Sequence, residues 1–253
     1  MNMSFYTAAV GAQQQQRRLD VHGNNIANVN TYGFTAKKPV FKALINDFMA
    51  GAEGAELPRG TGSFMIAADS SFRANGIPET GRPLDYAIEG DGFFALWEPQ
   101  TGEYSYTRDG SFIMSSFQRE VMDDNGEPAL NEDGTQQYET VWYLSDALGR
   151  FVLSDEGRLI EVTDPKEMLP VGIFDFINVN GMLSVGDNRF VPIDKNEPVR
   201  VGTGKLIQGH LLASNTDLAN EIAKVIESQR SFSYALKMVQ TSDEIETTVN
   251  NLR

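Results

Sequence analysis

The chain offers few of the side chains on which metal sites and catalytic triads are usually built. It contains no cysteine, which excludes disulfides, thiolate catalysis and cysteine-ligated zinc or iron–sulfur sites. Its two histidines are His22 and His210, and any histidine-based site would have to use one or both. We place His22 on an N-terminal helix, exposed or at a helix contact, and His210 has no partner at ligand spacing. The sequence therefore predicts no catalytic residue, no metal site and no cofactor.

Two glycine-containing segments and one group of carboxylates are the remaining places where chemistry could occur. The segment Gly90–Ala95 fits a dinucleotide fingerprint, but an aromatic, strand-like run follows it instead of a helix, which favours a simple Asp-Gly turn. Gly204-Lys205 lacks the other residues of a phosphate-binding loop. The carboxylates of Asp85, Glu89 and Asp91 could pair for acid–base chemistry, as in glycosidases. With 35 acidic residues in the chain, their closeness in sequence is weak evidence for a site.

Composition and charge limit the classes of partner. The chain has 253 residues and a net charge of −14, which suits one or two globular domains and argues against nucleic acid as a partner. The charge is uneven: residues 1–45 carry +4, residues 214–253 carry −2, and the middle carries −16. We expect no membrane span, because no apolar run reaches eighteen residues. The N-terminal sequence also lacks the pattern of a cleavable secretory signal.

Both ends of the sequence have helical periodicity. Near the N-terminus a heptad series of mostly small or polar residues runs from Phe5 through Ala12 to Ile26. Near the C-terminus a stronger heptad stripe contains Leu218, Ile222, Val225, Gln229, Phe232, Leu236 and Val239. The segment Ser214–Asp217 fits a capping box, so we predict one long helix over residues 216–252.

Two interpretations of these stripes remain open. The two helices could pair within the chain and pack on the middle of the molecule, as amphipathic helices commonly do. Alternatively, the stripes could bind other copies of the chain. Small seam residues allow close approach but bury little area, so such a helix would be marginal alone and stable in a multi-helix assembly.

The middle of the chain has the pattern of an all-β module. Turn dipeptides such as Asn75-Gly76, Asp91-Gly92 and Asp109-Gly110 separate short runs rich in β-branched and aromatic residues. The predicted strands include Phe93–Trp97, Val141–Leu144, Phe151–Leu153 and Val171–Phe174. Nine of the ten prolines lie between Pro58 and Pro198, which is difficult to reconcile with long helices there.

The most specific segment follows the first helix. Its sequence is Asn24-Asn25-Ile26-Ala27-Asn28-Val29-Asn30-Thr31-Tyr32-Gly33-Phe34. This is a helix terminus: asparagines can bond the last carbonyls, Gly33 can adopt a positive φ, and Phe34 can fold back as an apolar contact. Four asparagines are more than a cap requires, so a role beyond helix termination is indicated.

Three blocks of this sequence resemble those of bacterial flagellar axial proteins, the rod, hook and hook-associated proteins. The first is Asn24–Phe34. The second combines Pro83–Phe94 with Tyr106–Phe112, and the third combines Gln208–Asn215, Glu227–Phe232 and Gln240–Glu244. The blocks occur in the family's order, and the length is similar to that of rod proteins of the F and G types.

The resemblance implies an α+β fold and a structural subunit without enzymatic activity. The implied organisation is an N-terminal helix over 1–35, a connecting segment over 36–75, a β-rich outer domain over 76–213 and a C-terminal helix over 214–253. The terminal helices would form an inner coiled-coil layer of a helical tube that transmits torque. Its partners would be other copies, neighbouring rod and hook proteins and the flagellar type III export apparatus, which would deliver it to the basal body without a cleavable signal.

The residues to which we assign assembly or family recognition lie in the first block and on the C-terminal stripe. They are Asn24, Asn25, Ile26, Ala27, Asn28, Gly33, Phe34, Ile222, Val225, Phe232, Leu236 and Val239. A hook or other axial protein is the alternative within the family. The alternative from another class is a β-rich carbohydrate-binding module or an enzyme, which would need a concave site with convergent polar groups.

Overall fold

The computed structural model describes residues 3–44, 47–50, 56–73, 75–120, 138–180, 182–193 and 199–252. The chain forms two compact units. The first contains both ends of the chain, Met1–Asn30, Thr35–Ser71 and Asn215–Arg253, and the second contains Thr31–Phe34 and Phe72–Ser214. The fold is therefore α+β, as predicted, with helices at the two ends and strands between them.

The first unit is built on a pair of helices and two small antiparallel sheets. Helix α1 spans Met3–Ala27 and helix α2 spans Leu218–Asn251. Strands β1 (Lys37–Ala43) and β4 (Ser63–Ser70) form one sheet, and β2 (Asp47–Ala50) and β3 (Glu56–Arg59) form the other. The helices run antiparallel, because Ser4 contacts Ser242 at one end and His22 contacts Glu221 at the other. The two helices thus pair within the chain, which confirms the pairing in the first interpretation.

The start of α2 differs in one detail from the prediction. The N-cap is Asp217, whose side chain accepts a hydrogen bond from the backbone N–H of Asn220. Ser214, the first residue of the predicted capping box, precedes the cap and belongs to the second unit. The single long helix is confirmed, with 34 residues and a length of about 51 Å at ~1.5 Å per residue.

The second unit consists of strands and irregular segments. Its strands are β5 (Tyr86–Glu89), β6 (Phe94–Trp97), β7 (Tyr104–Thr107), β8 (Ile113–Glu120), β9 (Tyr138–Ser145), β10 (Phe151–Val152), β11 (Phe174–Phe176), β12 (Leu183–Gly186), β13 (Arg189–Val191), β14 (Val199–Val201) and β15 (Lys205–Gln208). Seven of them form one sheet in the order β12-β13-β7-β6-β10-β9-β8. The pairs β11–β14 and β15–β5 complete the unit.

Apolar side chains bury both faces of the central strand β6. Phe94 and Leu96 belong to one core cluster, while the alternate residues Phe93 and Ala95 belong to another. Successive residues of a strand point to opposite faces, so a continuous apolar run is expected where both faces are covered. This explains why the sequence here reads as an unbroken aromatic run and not as an alternating one.

The strand predictions for Phe93–Trp97 and Phe151–Leu153 are confirmed within one residue, and the prediction for Val141–Leu144 is confirmed within a longer strand that begins three residues earlier. The prediction for Val171–Phe174 is wrong for most of its length, because β11 begins only at Phe174. Val171 and Ile173 are nevertheless buried in the first core cluster. These two residues are therefore apolar because they pack in the core, although they do not belong to a strand.

A buried arginine ties the second core cluster to its surrounding loops. Arg108 donates from Nε to the carbonyl oxygen of Gly92 at 3.1 Å and from Nη1 to that of Phe72 at 3.0 Å. Its guanidinium lies 5.1 Å from the centroid of the Phe93 ring. Burial lowers the pKa of Arg108, and the nearby carboxylates of Asp91 and Asp175 oppose that effect. Arg108 is thus a packing element of the fold, held by carbonyls and an aromatic face.

We expect Phe93→Ala to destabilise the second unit by about 3–5 kcal/mol, because the fully buried ring would leave a cavity. Both tryptophans, Trp97 and Trp142, lie in this unit, so urea unfolding followed by fluorescence measures its stability. Ile177→Ala is the matched control, since Ile177 is largely exposed and its truncation should change the free energy of unfolding by less than about 0.5 kcal/mol. Equal effects of the two changes would contradict this assignment of the core.

Candidate assembly site on the helix pair

The contact between α1 and α2 is made of small and polar side chains. On α2 the buried positions are Glu221, Ser228 and Ser242, separated by multiples of seven residues. On α1, Ala12 is buried, and the hydroxyl of Ser4 lies 3.3 Å from that of Ser242. We call this contact the seam. Small side chains allow the helices to approach closely but bury little apolar area.

One end of the seam contains a buried polar cluster formed by His22, Asn25 and Glu221. The distance from His22 Nδ1 to Glu221 Oε2 is 2.6 Å, and Asn25 Nδ2 donates to the same oxygen at 3.1 Å. Asn25 also donates to the carbonyl of Lys37 and accepts from its N–H, both at 2.8 Å. The Asn25 amide therefore joins α1 to β1 through two backbone hydrogen bonds and to α2 through the carboxylate.

The electrostatics of the cluster favour an ionised glutamate. Burial alone would raise the pKa of Glu221, but hydrogen bonds from Lys224, His22 and Asn25 outweigh it and hold this pKa below its ordinary value. The Lys224 ammonium lies 3.0 Å from Glu221 Oε1. Because the carboxylate is ionised, His22 Nδ1 carries the proton of their hydrogen bond. The arrangement is a hydrogen-bonded ion site inside the helix pair.

The apolar stripe predicted on α2 lies partly within the seam and partly beside it. Val225, Phe232 and Val239 are half-buried, and at ~100° per residue they lie within about 40° of the seam residue Glu221. Ile222 and Leu236 are 45% and 41% exposed, and they lie about 100° and 60° around the helix from Glu221. The open part of the stripe is therefore the side that carries Ile222 and Leu236.

The asparagine-rich block begins within the last turn of α1. Asn28 Nδ2 donates to the backbone carbonyl of Asn24 at 2.9 Å and to its side-chain oxygen at 2.7 Å, which satisfies a terminal carbonyl. Ile26 is half-buried and Ala27 is exposed at the end of the helix. Among these predicted residues Asn25 is fully buried, and its side chain contacts α2.

The end of the same block lies in the second unit, where the three sequence blocks meet. Gly33 has φ +66°, which confirms the predicted left-handed conformation. Its N–H donates to the carbonyl of Leu212 at 2.8 Å, and a Cβ at this position would lie 2.4 Å from the backbone nitrogen of Asp109. Phe34 is buried. Gly33, Asp109 and Leu212 come from the first, second and third blocks, so these motifs specify one packed junction.

A cavity of about 300 Å³ in the second unit is lined by several charged side chains, which the alternative of a ligand-binding or enzymatic site requires. It is lined by Asp109, Asp146, Arg150 and Asp187, among others. The Arg150 guanidinium forms ion pairs with Asp146 and Asp187, and Asp109 accepts hydrogen bonds from Ser111. Burial raises the pKa of Asp109, which the hydrogen bonds from Ser111 oppose. The polar groups bind one another, as in a structural network.

The carboxylates considered for acid–base chemistry do not converge. Asp85 is buried and accepts a hydrogen bond from Thr80, while Glu89 and Asp91 are exposed. Among the residues that the structure describes, no group of three or more metal-binding side chains is placed to hold an ion. No described helix is both long and apolar enough to cross a membrane.

The sequence interpretation missed the cluster of His22 and Glu221. His22 was expected at a helix surface or a helix contact, and it is buried at the contact. Glu221 lies in the first turn of α2, a place where an acidic residue is ordinarily explained by the helix dipole. The sequence feature that could have indicated the cluster is the spacing of His22 and Asn25, because residues three apart lie on one face of a helix.

Three family models match successive parts of the chain. "Flagella basal body rod protein" matches residues 5–35, "Flagellar hook protein FlgE/F/G D1 domain" matches 87–169, and "Flagellar basal body rod FlgEFG protein C-terminal" matches 207–252. The first and third cover α1 and α2, which carry the seam, and the second covers much of the strand-rich unit.

Flagellar rod proteins of other bacteria are similar to this chain over nearly their whole length. The flagellar basal-body rod protein FlgG of Bacillus subtilis is 34% identical, with 100% of both chains covered. FlgG of Borreliella burgdorferi is 32% identical, covering 100% of this chain and 99% of the relative. The rod protein FlgF of Mesorhizobium japonicum is 28% identical over 100% of this chain and 98% of its own.

We expect Gly33→Ala to destabilise the second unit by roughly 3 kcal/mol, since strain at a positive φ adds to the overlap with Asp109. Gly102→Ala is the matched control: its φ is +73°, but an added Cβ would have no neighbour within 4 Å. Its cost should stay near ~1 kcal/mol. Urea unfolding followed by tryptophan fluorescence separates the two, and equal costs would mean that close packing at Gly33 is unimportant.

The lowered pKa of Glu221 predicts that acid weakens the helix pair. The stabilisation is present above the ordinary glutamate pKa of about 4.3 and is lost as the pH falls through the lower pKa of the folded state. The urea midpoint of the far-UV helical signal should therefore fall from about pH 5 to about pH 3, and less so in Glu221→Gln. Glu227→Gln, at a largely exposed ion pair with Arg18, should respond to acid like the parent. An identical response of Glu221→Gln and the parent would contradict the prediction.

Proposed function

The chain belongs to the flagellar basal-body rod protein family and is a structural subunit of the rod, and we propose that its helix pair is the part that meets neighbouring subunits. In this proposal residues 1–35 and 214–253 form an inner, coiled-coil assembly layer. Residues 76–213 form the outer domain, and 36–75 connect them. The observation that carries the proposal is the part of the α2 stripe formed by Ile222 and Leu236, which remains exposed although the helix already has an intrachain partner.

The stripe can bind another copy without disturbing the pair. The fully buried residues of α2 are Glu221, Ser228 and Ser242, and Ile222 and Leu236 lie about 100° and 60° around the helix from Glu221, so a second copy can contact these two without displacing α1. Full burial of a Leu, Ile, Val or Phe side chain stabilises a contact by about 1.5–3 kcal/mol. Several such side chains on one helix face supply the favourable energy that an association must have to overcome its entropic cost.

The far end of α2 supplies further apolar surface. Because Ser242 lies opposite Ser4, α2 continues for about two turns beyond the point where the described part of α1 begins. Ile245, Val249 and Leu252 in this extension are more than half exposed. An apolar helix face without a neighbour marks an interaction site more often than it marks ordinary surface.

A helical rod follows from the kind of contact that such a stripe makes. In this proposal the stripe meets a different surface of the neighbouring subunit, because a contact of one stripe with another would close a two-fold dimer. Contacts of this kind close into a ring only for special rotations and otherwise extend as a helical filament. We propose neighbouring copies and adjacent rod and hook proteins as the partners, and the flagellar type III export apparatus as the route of delivery without a cleavable signal.

The similarity to G-type relatives, at 34% and 32% identity, supports a distal-rod role over the F-type role of the relative at 28%. Expression of this chain in strains that lack one or the other subunit tests the assignment. Restored motility in a strain without its G-type subunit, and not in one without its F-type subunit, is the expected result. The reverse pattern would assign the chain to the F type.

We expect Leu236→Asp to abolish incorporation into the rod while leaving the thermal transition of the second unit nearly unchanged. A carboxylate placed in an apolar contact costs several kcal/mol unless it protonates, and the cost recurs at every copy of the contact. Thr241→Asp is the matched control, because Thr241 is exposed and about 140° around the helix from Leu236. Electron microscopy of purified basal bodies and motility assays measure incorporation. Loss of the second unit's transition in Leu236→Asp would show that Leu236 belongs to an internal core.

A further inference from the structure

Helix α2 carries two exposed lines of side chains with the same spacing. The near line belongs to the open part of the stripe and consists of Ile222, Gln229 and Leu236. The far line lies in the last part of the helix and consists of Met238, Ile245 and the C-cap residue Leu252. We propose that the near line of one copy binds the far line of the next copy, with the two α2 helices parallel. This rests on the proposed function, because it names the surface of the neighbour that the stripe meets.

The two lines lie on opposite sides of the helix pair. At ~100° per residue, the near line is about 60–100° around α2 from Glu221, which is buried in the seam. The far line is about 40–80° from Ser242, which is also buried in the seam, but in the opposite direction. Thr241 is outside the far line, about 100° from Ser242. A contact between opposite sides of two copies joins different surfaces, so it can continue from copy to copy.

The spacing of the two lines is matched. Successive members of each line are seven residues apart, so both lines follow the helix in the same way. A shift of 16 residues aligns three pairs: Ile222 with Met238, Gln229 with Ile245, and Leu236 with Leu252. This shift corresponds to about 24 Å along the helix. The same distance keeps the two lines of one chain apart, so the far line can meet a near line only in a second copy.

The charges beside the lines favour the parallel arrangement. Arg230 follows Gln229 and Glu244 precedes Ile245, so each is exposed about 100° from its line on the side away from α1. Parallel helices place Arg230 and Glu244 on the same side of the contact, whereas antiparallel helices would place them on opposite sides. Residues 238–252 contain three acidic and no basic side chains, so two far lines would repel each other. These charges favour the near line as the partner of the far line.

Disulfide trapping tests the contact, because the chain has no cysteine of its own. The variant Ile222→Cys/Met238→Cys carries one thiol on each line, and within one chain these are too far apart to form a disulfide. The full-length variant is expressed in a strain without its own G-type subunit, and its presence in purified basal bodies is checked under reducing conditions. After oxidation we expect a ladder of dimers, trimers and longer species on a non-reducing gel, since each copy can be joined to two neighbours.

The controls separate this contact from others. Ile222→Cys and Met238→Cys alone should each give at least about tenfold less crosslinked product, because neither line meets itself. Ile222→Cys/Gln240→Cys is the matched control and should give no ladder, since Gln240 is exposed but about 160° around α2 from Met238. Gln229→Cys/Ile245→Cys is a second pair in the same register, and it should reproduce the ladder if the first variant is not incorporated.

A charge reversal tests the parallel orientation. In the chain with Ile222→Cys/Met238→Cys, the additional change Arg230→Glu should lower the yield of the ladder by about two- to fivefold, because it faces Glu244 of the neighbour with a like charge. Adding Glu244→Arg should restore the yield. A loss that Glu244→Arg does not restore would contradict the parallel arrangement.

The outcomes distinguish this proposal from the proposed function. Incorporation into basal bodies without a ladder from either pair would overturn the contact between the two lines and leave the structural role of the helix pair intact. A product that stops at the dimer, or dimers from a chain with one cysteine, would indicate a two-fold contact instead. Absence of the parent chain from basal bodies would overturn the proposed function itself.

Discussion

The buried carboxylate of Glu221 imposes a constraint on which the helix pair depends. An ionised carboxylate is tolerated away from water only where donors surround it, and here the donors come from His22, Asn25 and Lys224. Through Asn25 the same site includes the backbone of β1, so two helices and a strand meet at one ion. Removal of one partner would leave the other polar groups buried without a hydrogen-bond partner. A single substitution at such a site is therefore expected to destabilise the fold strongly.

The blocks of sequence that identify the family mostly specify the fold. Gly33 is required where a left-handed residue passes within contact distance of the Asp109 backbone, and Arg108 joins two loops to an aromatic core. These residues come from separate blocks, yet their roles are in packing and in hydrogen bonding to the backbone. A motif of this kind marks a structural junction, and the surface that does the binding can be elsewhere on the molecule.

The sequence predicted the α+β class, the long C-terminal helix and the conformation of Gly33, because each follows from local chemistry: periodicity, capping and the freedom of glycine. It did not predict which face of each helix meets the other. Apolar periodicity locates a contact only when the contact is apolar, and this seam buries Glu221, Ser228 and Ser242. On α1 the buried residues His22 and Asn25 likewise lie outside the heptad series through Phe5, Ala12 and Ile26. A polar seam becomes visible only when both helices are placed in space.

A polar seam has a consequence for how a rod subunit uses its apolar residues. If α1 and α2 also buried Ile222 and Leu236 between them, the free chain would be more stable, but those side chains could no longer bind a neighbouring subunit. A contact whose fully buried positions on α2 are Glu221, Ser228 and Ser242 leaves Ile222 and Leu236 for contacts that form later. The disadvantage is an exposed apolar face in the free chain, which favours indiscriminate association.

The net charge of −14 opposes indiscriminate association, because free copies of the chain repel one another. Because that repulsion is long-range and screened by salt, while apolar contacts are short-range, only copies that dock with well-matched surfaces gain enough to overcome it.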